Sequence, residues 1–180
     1  MLHETPRLIL RELTVADTPD IERIFSHPDF FYAQFMQNNT PVAEAAKNFI
    51  NLVEMNHSTN PRTGWFMAII KKEDKKFIGM RALDELKEHP EFGLEAESSV
   101  FIDVAEWNKG YSFEAAQAMK GFAKSLGVQS LYATADPRNT GSWRNLEKLG
   151  MQCMGLQEIS KYTERDGSPA ARLFYRVALL

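Results

Sequence analysis

The connection Ala105-Glu106-Trp107-Asn108-Lys109-Gly110-Tyr111-Ser112 separates a β-like run from a helical one, and this order is the most chemically suggestive in the chain. The first amides of a helix have no acceptor inside it and sit at the positive end of its dipole. A loop that feeds them can therefore hold a phosphate without an arginine cluster. Gly110 lets a ligand approach the backbone closely, and Asn108 tolerates left-handed backbone angles. Lys109 reads first as a solvated surface charge. Alone, the same residues also describe an ordinary turn before a helix.

A second group follows downstream, Asp136-Pro137-Arg138-Asn139-Thr140-Gly141-Ser142, before a short helix that closes at Leu149-Gly150-Met151. Read as residues, Asn139 is a turn former that can bond its own backbone, and Ser142 is a helix-start cap. The order of loop, long helix, strand, Asn/Ser turn and short helix resembles the GNAT superfamily of acetyl-CoA-dependent N-acetyltransferases. Within it, the similarity is to the branch of ribosomal-protein-alanine acetyltransferases. The opening Glu4-Thr5-Pro6-Arg7-Leu8-Ile9-Leu10-Arg11 is similar to the start of that branch.

The resemblance implies roles for named positions. Trp107, Asn108, Lys109, Gly110, Tyr111 and Ser112 would wrap the coenzyme A pyrophosphate with backbone amides, Gly110 standing at the central glycine. Trp107 stands where arginine or glutamine is common, so the loop is expected to lose a polar side chain that would steady it. The preceding strand, residues 98–104 with Phe101 and Ile102, would part from its neighbour and offer an edge to the pantetheine amides. Asn139 would bond the pantetheine arm, and Ser142 would protonate the departing thiolate. Glu97 would be the base for the acceptor amine, Ser99 would share its face, and an amide within residues 98–100 would hold the carbonyl oxygen.

The implied reaction moves an acetyl group from acetyl-CoA directly to an amine, a protein N-terminus or a small molecule, in a ternary complex without a covalent enzyme intermediate. Cys153 would then be structural. A rival reading, motivated by Trp107, is a catalytically weak acyl-CoA-binding or sensing module, and a longer acyl donor stays open. The implied fold is α/β (α+β), one GNAT-like domain over residues 1–180. Its mixed, mostly antiparallel twisted sheet would be flanked by helices and carry a splayed central strand pair.

The elements that must position these residues are legible from spacing. Alternation predicts an opening strand over residues 7–13. Thr14 and Asp17 form an N-cap pattern before a short helix ending near His27-Pro28. Thr40-Pro41 reads as an N-cap with proline at the first helical position, leading to a helix as far as His57. Two strands, 65–70 and 77–83, flank a charged turn, and residues 84–97 read as acidic and irregular, a stretch that could draw a cationic acceptor. A helix over 113–126, a strand over 129–135, a helix over 140–149 and two strands, 151–159 and 172–178, about an Asp166-Gly167 turn complete the pattern. Phe30, Phe31, Tyr32 and Phe35 are core or lid packing, or else line an acceptor channel.

Composition excludes several classes. The net charge of −3 lacks the electrostatic footprint of a nucleic-acid binder. The single cysteine and four scattered histidines suggest neither disulfide nor metal site and fit a cytoplasmic setting. No uncharged apolar run approaches the ~20 residues of a membrane-spanning helix. Monomer and homodimer are both compatible with the sequence.

Overall fold

The computed structural model describes residues 2–30, 40–163 and 169–179. Eight strands form one sheet: β1 (Leu2–Glu4), β2 (Leu8–Glu12), β3 (Trp65–Lys71), β4 (Phe77–His89), β5 (Gly93–Ile102), β6 (Ser130–Ala135), β7 (Gln152–Thr163) and β8 (Pro169–Ala178). Their order across the sheet is β1-β2-β3-β4-β5-β6-β8-β7. The helices are α1 (Thr18–Phe25), α2 (Val42–Ser58), α3 (Tyr111–Ser125) and α4 (Thr140–Lys148). This is the mixed, mostly antiparallel sheet flanked by helices that the resemblance implied.

Side-chain alternation along β5 divides the interior into two layers. Ala96 and Ile102 face α3, where they pack with Ala115, Met119, Leu131 and Leu146. Phe101 faces α1 and α2, packed with Phe25, Phe49, Phe66 and Met80. Phe101 sits edge-on to Phe25 at 5.4 Å, Phe30 at 5.8 Å and Phe49 at 5.9 Å between ring centroids. Such contacts between aromatic edges and faces add to the apolar area they bury.

Among the described residues β5 and β6 are the one parallel pair of neighbours, as a strand–helix–strand crossover requires. Their register runs only through Glu95↔Ser130, Ala96↔Leu131 and Glu97↔Tyr132. Beyond Glu97 the strands part, the splay that the resemblance implied. On its other side β5 stays paired with β4 as far as Gly79↔Ile102.

Several boundaries differ from the sequence expectation. β2 begins at Leu8, and a separate β1 pairs with it, Leu2 opposite Arg11. Pro41 occupies the cap position of α2, with ψ 139°, instead of the first helical position. Residues 84–97 are not irregular. β4 continues to His89 and turns back into β5, absorbing an extra residue at a bulge between Asp84 and Lys87 where Glu85 has φ 51°. Local pattern could not show this, because the acidic residues carry no period of two and the cross-strand partner is what orders them. β5 ends at Ile102, not at 104, because Asp103 starts a 3-10 turn, Val104–Glu106, by accepting a hydrogen bond from Ala105 N at 3.1 Å. Phe30 belongs to the core, whereas Phe31, Tyr32, Phe35 and the Asp166-Gly167 turn lie outside the described residues.

Phe101 is thus a core residue through its side chain. Phe101→Ala should cost about 3–5 kcal/mol of stability, seen as a lower urea midpoint with an unchanged slope, whereas Phe101→Leu should recover most of it.

Candidate active site

The loop between β5 and α3 is assembled by short-range bonds. Glu106 N and Trp107 N donate to Asp103 O at 2.8 Å and Val104 O at 3.2 Å, closing the 3-10 turn. Trp107, although 41% exposed, donates its indole Nε1–H to Ile102 O at 2.8 Å. The expectation that Trp107 leaves the loop without a steadying polar group is therefore corrected: the indole N–H holds the loop to the end of β5. Asn108 and Gly110 both take left-handed angles, φ 62° and 80°. Gly110 caps α3 without a side chain to bond its first amides, so among the described residues that first turn of amides fits an anionic ligand. The amino end of α4 is different: Asn139 Oδ1 accepts from Ser142 N at 3.1 Å.

A ring of charge holds this loop. Asp103 is buried and pairs with Arg23 and with Lys76 at 3.1 Å. Burial alone would raise its carboxyl, but the bonds to Arg23 and Lys76 prevail and keep it below the usual range. Glu106, also buried, is lowered in the same way, the cost of burial being outweighed by Lys109 and Lys71. The Lys109 ammonium lies 2.9 Å from buried Glu106 while its side chain stays exposed, so it is the solvated surface charge expected, with one ion pair to the turn. Lys109 enters the candidate site through its place in the backbone.

The turn between β1 and β2 braces the loop from outside. Arg7 Nε bonds Glu114 Oε2 at 2.6 Å, its Nη1 donates to Lys109 O at 3.0 Å, and its guanidinium lies 4.4 Å from the Tyr111 ring centroid. Arg7 N also donates to Glu114 Oε1 at 2.9 Å, and the Thr5 hydroxyl donates to the same oxygen. Reading the motif from 107 to 112 missed Arg7 and Glu114. The opening Glu4 to Arg11 was the available signal, but nothing local connects Arg7 to a residue 107 positions away.

On the other wall, Asn145 Nδ2 donates to Ser112 Oγ at 3.2 Å, tying α4 to the start of α3. Ser142 is half-buried in the first turn of α4. Glu97 is 6% exposed in mid-strand, not a solvated strand end, and lies opposite Asp84 on one side and Tyr132 on the other. Ser99 shares its face by alternation.

A polar cluster surrounds Tyr132 on this face. Its hydroxyl donates to Glu85 Oε2 at 2.6 Å and accepts from Lys87 Nζ at 3.2 Å. Burial first, then the bond to Glu85 and the Glu97 carboxylate, pushes the phenol well above its ordinary range and keeps it protonated. Arg176 bonds buried Glu95 at 2.9 Å and lies 3.9 Å from the Phe92 ring centroid. Of the acidic stretch, then, Glu85, Glu95 and Glu97 gather about Tyr132, whereas Glu88 and Glu91 are exposed at the turn. Among the described residues no group of three His, Cys, Asp or Glu is arranged to hold a metal ion, and no helix is long and apolar enough to cross a membrane.

Known proteins share both sequence and architecture with this chain. It matches the family described as Acetyltransferase (GNAT) domain over residues 7–152. The uncharacterized N-acetyltransferase p20 of Bacillus licheniformis is 26% identical over 157 residues, covering 84% of this chain and 83% of that protein. The ribosomal-protein-S5-alanine acetyltransferase of Vibrio fischeri superposes with a TM-score of 0.76 at 16% identity, over 99% of this chain and 96% of that one. RimJ of Mycobacterium smegmatis, solved in complex with CoA-disulfide, gives 0.76 at 16% identity over 95% and 81%. The chain belongs to the GNAT acetyltransferase family, and it is an N-acetyltransferase of that fold.

The brace yields a test that needs no substrate. Arg7→Ala should lower the melting temperature by about 2–4 °C, as expected for a half-exposed charged contact worth about 1 kcal/mol. It should also speed hydrogen exchange at amides 108–113. Glu114 is held below its ordinary 4.5 because its bonds to Thr5 and Arg7 outweigh burial. Its contribution is thus complete above that value and is lost as pH falls through the lower folded value. The melting gap between wild type and Glu114→Gln should be constant above about 4.5 and close as the pH falls from there through the lower folded value.

Proposed function

We propose that the chain transfers the acetyl group of acetyl-CoA directly to a primary amine within a ternary complex. The observation that carries this reading is the course of β5. Its ladder with β6 ends at Glu97, and it runs on from there to the amino end of α3, where Gly110 offers no side-chain cap. A thioester lying along that stretch has an anion site at one end and a carboxylate at the other.

In this reading the amides after Gly110 hold the pyrophosphate, with Trp107, Asn108, Lys109, Tyr111 and Ser112 shaping the turn. The strand edge at Phe101 and Ile102 supplies backbone partners for pantetheine, and Asn139 adds its carboxamide from the α4 side. The amine nitrogen attacks the thioester carbon, and the oxygen gathers charge against an amide within 98–100. Glu97 takes the proton that the nitrogen loses, directly or through one water. The C–S bond then breaks, and the Ser142 hydroxyl gives its proton to the sulfur. Solvent restores both groups, leaving an amide and free coenzyme A. Cys153, exposed on β7, takes no part.

The carboxylates near Tyr132 suit an acceptor that arrives as an ammonium, and the name of the Vibrio fischeri protein, a ribosomal-protein-S5-alanine acetyltransferase, makes a ribosomal protein the first acceptor to try. The rival reading of a weak binding module drew on Trp107. With its indole N–H bonded to Ile102 O, that reading loses its motive.

Calorimetry with acetyl-CoA should show one-to-one binding that Gly110→Asp abolishes, since its carboxylate would sit where the phosphates belong. A folded wild type that binds no acetyl-CoA would overturn the proposal. Glu97→Gln should retain affinity while kcat falls by about 10²–10⁴, and Ser142→Ala should reduce kcat by roughly tenfold. Undiminished turnover in Glu97→Gln would remove Glu97 as the base.

A further inference from the structure

Beneath α3, the sheet face that carries Ala96 and Ile102 also carries a buried cation. Arg81 of β4 lies opposite Met67 and Val100 and is 2% exposed. By alternation it occupies the same face as Leu83, a core position where an aliphatic side chain is the rule. Its guanidinium makes one hydrogen bond, from Nη2 to Ser98 Oγ at 2.8 Å. Nε and Nη1 are buried without a partner.

Arg81 borders a cavity of about 20 Å³, whose wall includes Ser98, Lys120 and the apolar Leu131, Met151 and Val177. No carboxylate is among the described residues that line it. Burial pushes the guanidinium down only to about 10, so it is charged at neutral pH. A buried charge is tolerated when an opposite charge and hydrogen bonds compensate it. Here the protein supplies a hydroxyl and a second cation, and both favour an incoming anion.

The size of the cavity limits its occupant. It has room for one water-sized species, which leaves out phosphate and any carboxylate-bearing metabolite. A water could accept from Nε or Nη1, but it would leave the charge uncompensated. We propose that this cavity is a binding site for a small monovalent anion of halide size, held by Nε and Nη1 of Arg81 with Lys120 as the second cation. The bound anion ties β4 and β5, through Arg81 and Ser98, to α3, through Lys120. The site is independent of acetyl transfer, and its test does not use activity.

Crystals of the full chain grown in sodium bromide should show an anomalous peak within hydrogen-bond distance of Arg81 Nε or Nη1. In solution, replacing sodium gluconate by sodium bromide or chloride at equal ionic strength should raise the melting temperature saturably, by on the order of 3 °C. Arg81→Met combined with Ser98→Ala should abolish that dependence. If the double variant fails to fold, the bromide peak in wild type decides the matter. Crystals at saturating bromide that hold only water in the cavity would overturn the proposal whatever the melting curves show.

Discussion

Two parallel strands that begin in register cannot remain paired when their far ends are pulled to different neighbours. β5 and β6 share register only from Glu95 to Glu97, after which β5 follows β4 and β6 follows β8. Everything else in the candidate site depends on that parting. Among the described residues the β5–β6 ladder ends at Glu97, so residues 98–102 continue β5 beyond it. The parting also places Glu97 at the apex, with Tyr132 across from it, and sends the end of β5 toward the start of α3.

The second requirement is an amino end of α3 that stays bare yet well positioned. An uncapped helix end gains ligand affinity only if its amides are held in place, and here the holding is done from outside the helix. Asp103 and Glu106 are buried acids that would be costly alone, and Arg23, Lys71, Lys76 and Lys109 make them tolerable. Arg7 and Glu114 close the opposite side, joining the turn between β1 and β2 to the first turn of α3. In these pairs the acids are buried or half-buried while Arg7, Arg23 and Lys109 stay partly exposed, so solvent screens them less than it does fully exposed surface pairs. Arg23, Lys71, Lys76, Arg7 and Glu114 hold the loop from outside it, and Lys109 belongs both to the loop and to what holds it.

The polar cluster around Tyr132 follows another logic. Glu85, Glu95, Tyr132, Lys87 and Arg176 come from β4, β5, β6 and β8. The bulge at Glu85 brings its carboxylate to the Tyr132 hydroxyl, and without it the acids of β4 would follow plain alternation. One local irregularity thus turns a row of strand-end acids into a cluster around a protonated phenol.

By itself the sequence determined what is local. Helix spacing fixed α3 and α4, left-handed tolerance marked Asn108 and Gly110, and the Thr14–Asp17 pattern marked the first turn, where Thr14 N does donate to Asp17 Oδ2 at 2.8 Å. These features depend on neighbours within about one helical turn. The long-range features needed the folded chain. The strand nature of residues 84–97, the brace from Arg7 to Glu114, the use of the Trp107 indole and the burial of Arg81 at a core position all depend on partners many residues away. A hydrogen bond or ion pair of that kind leaves no periodic trace in the residues that make it, because its geometry is set only when the sheet assembles.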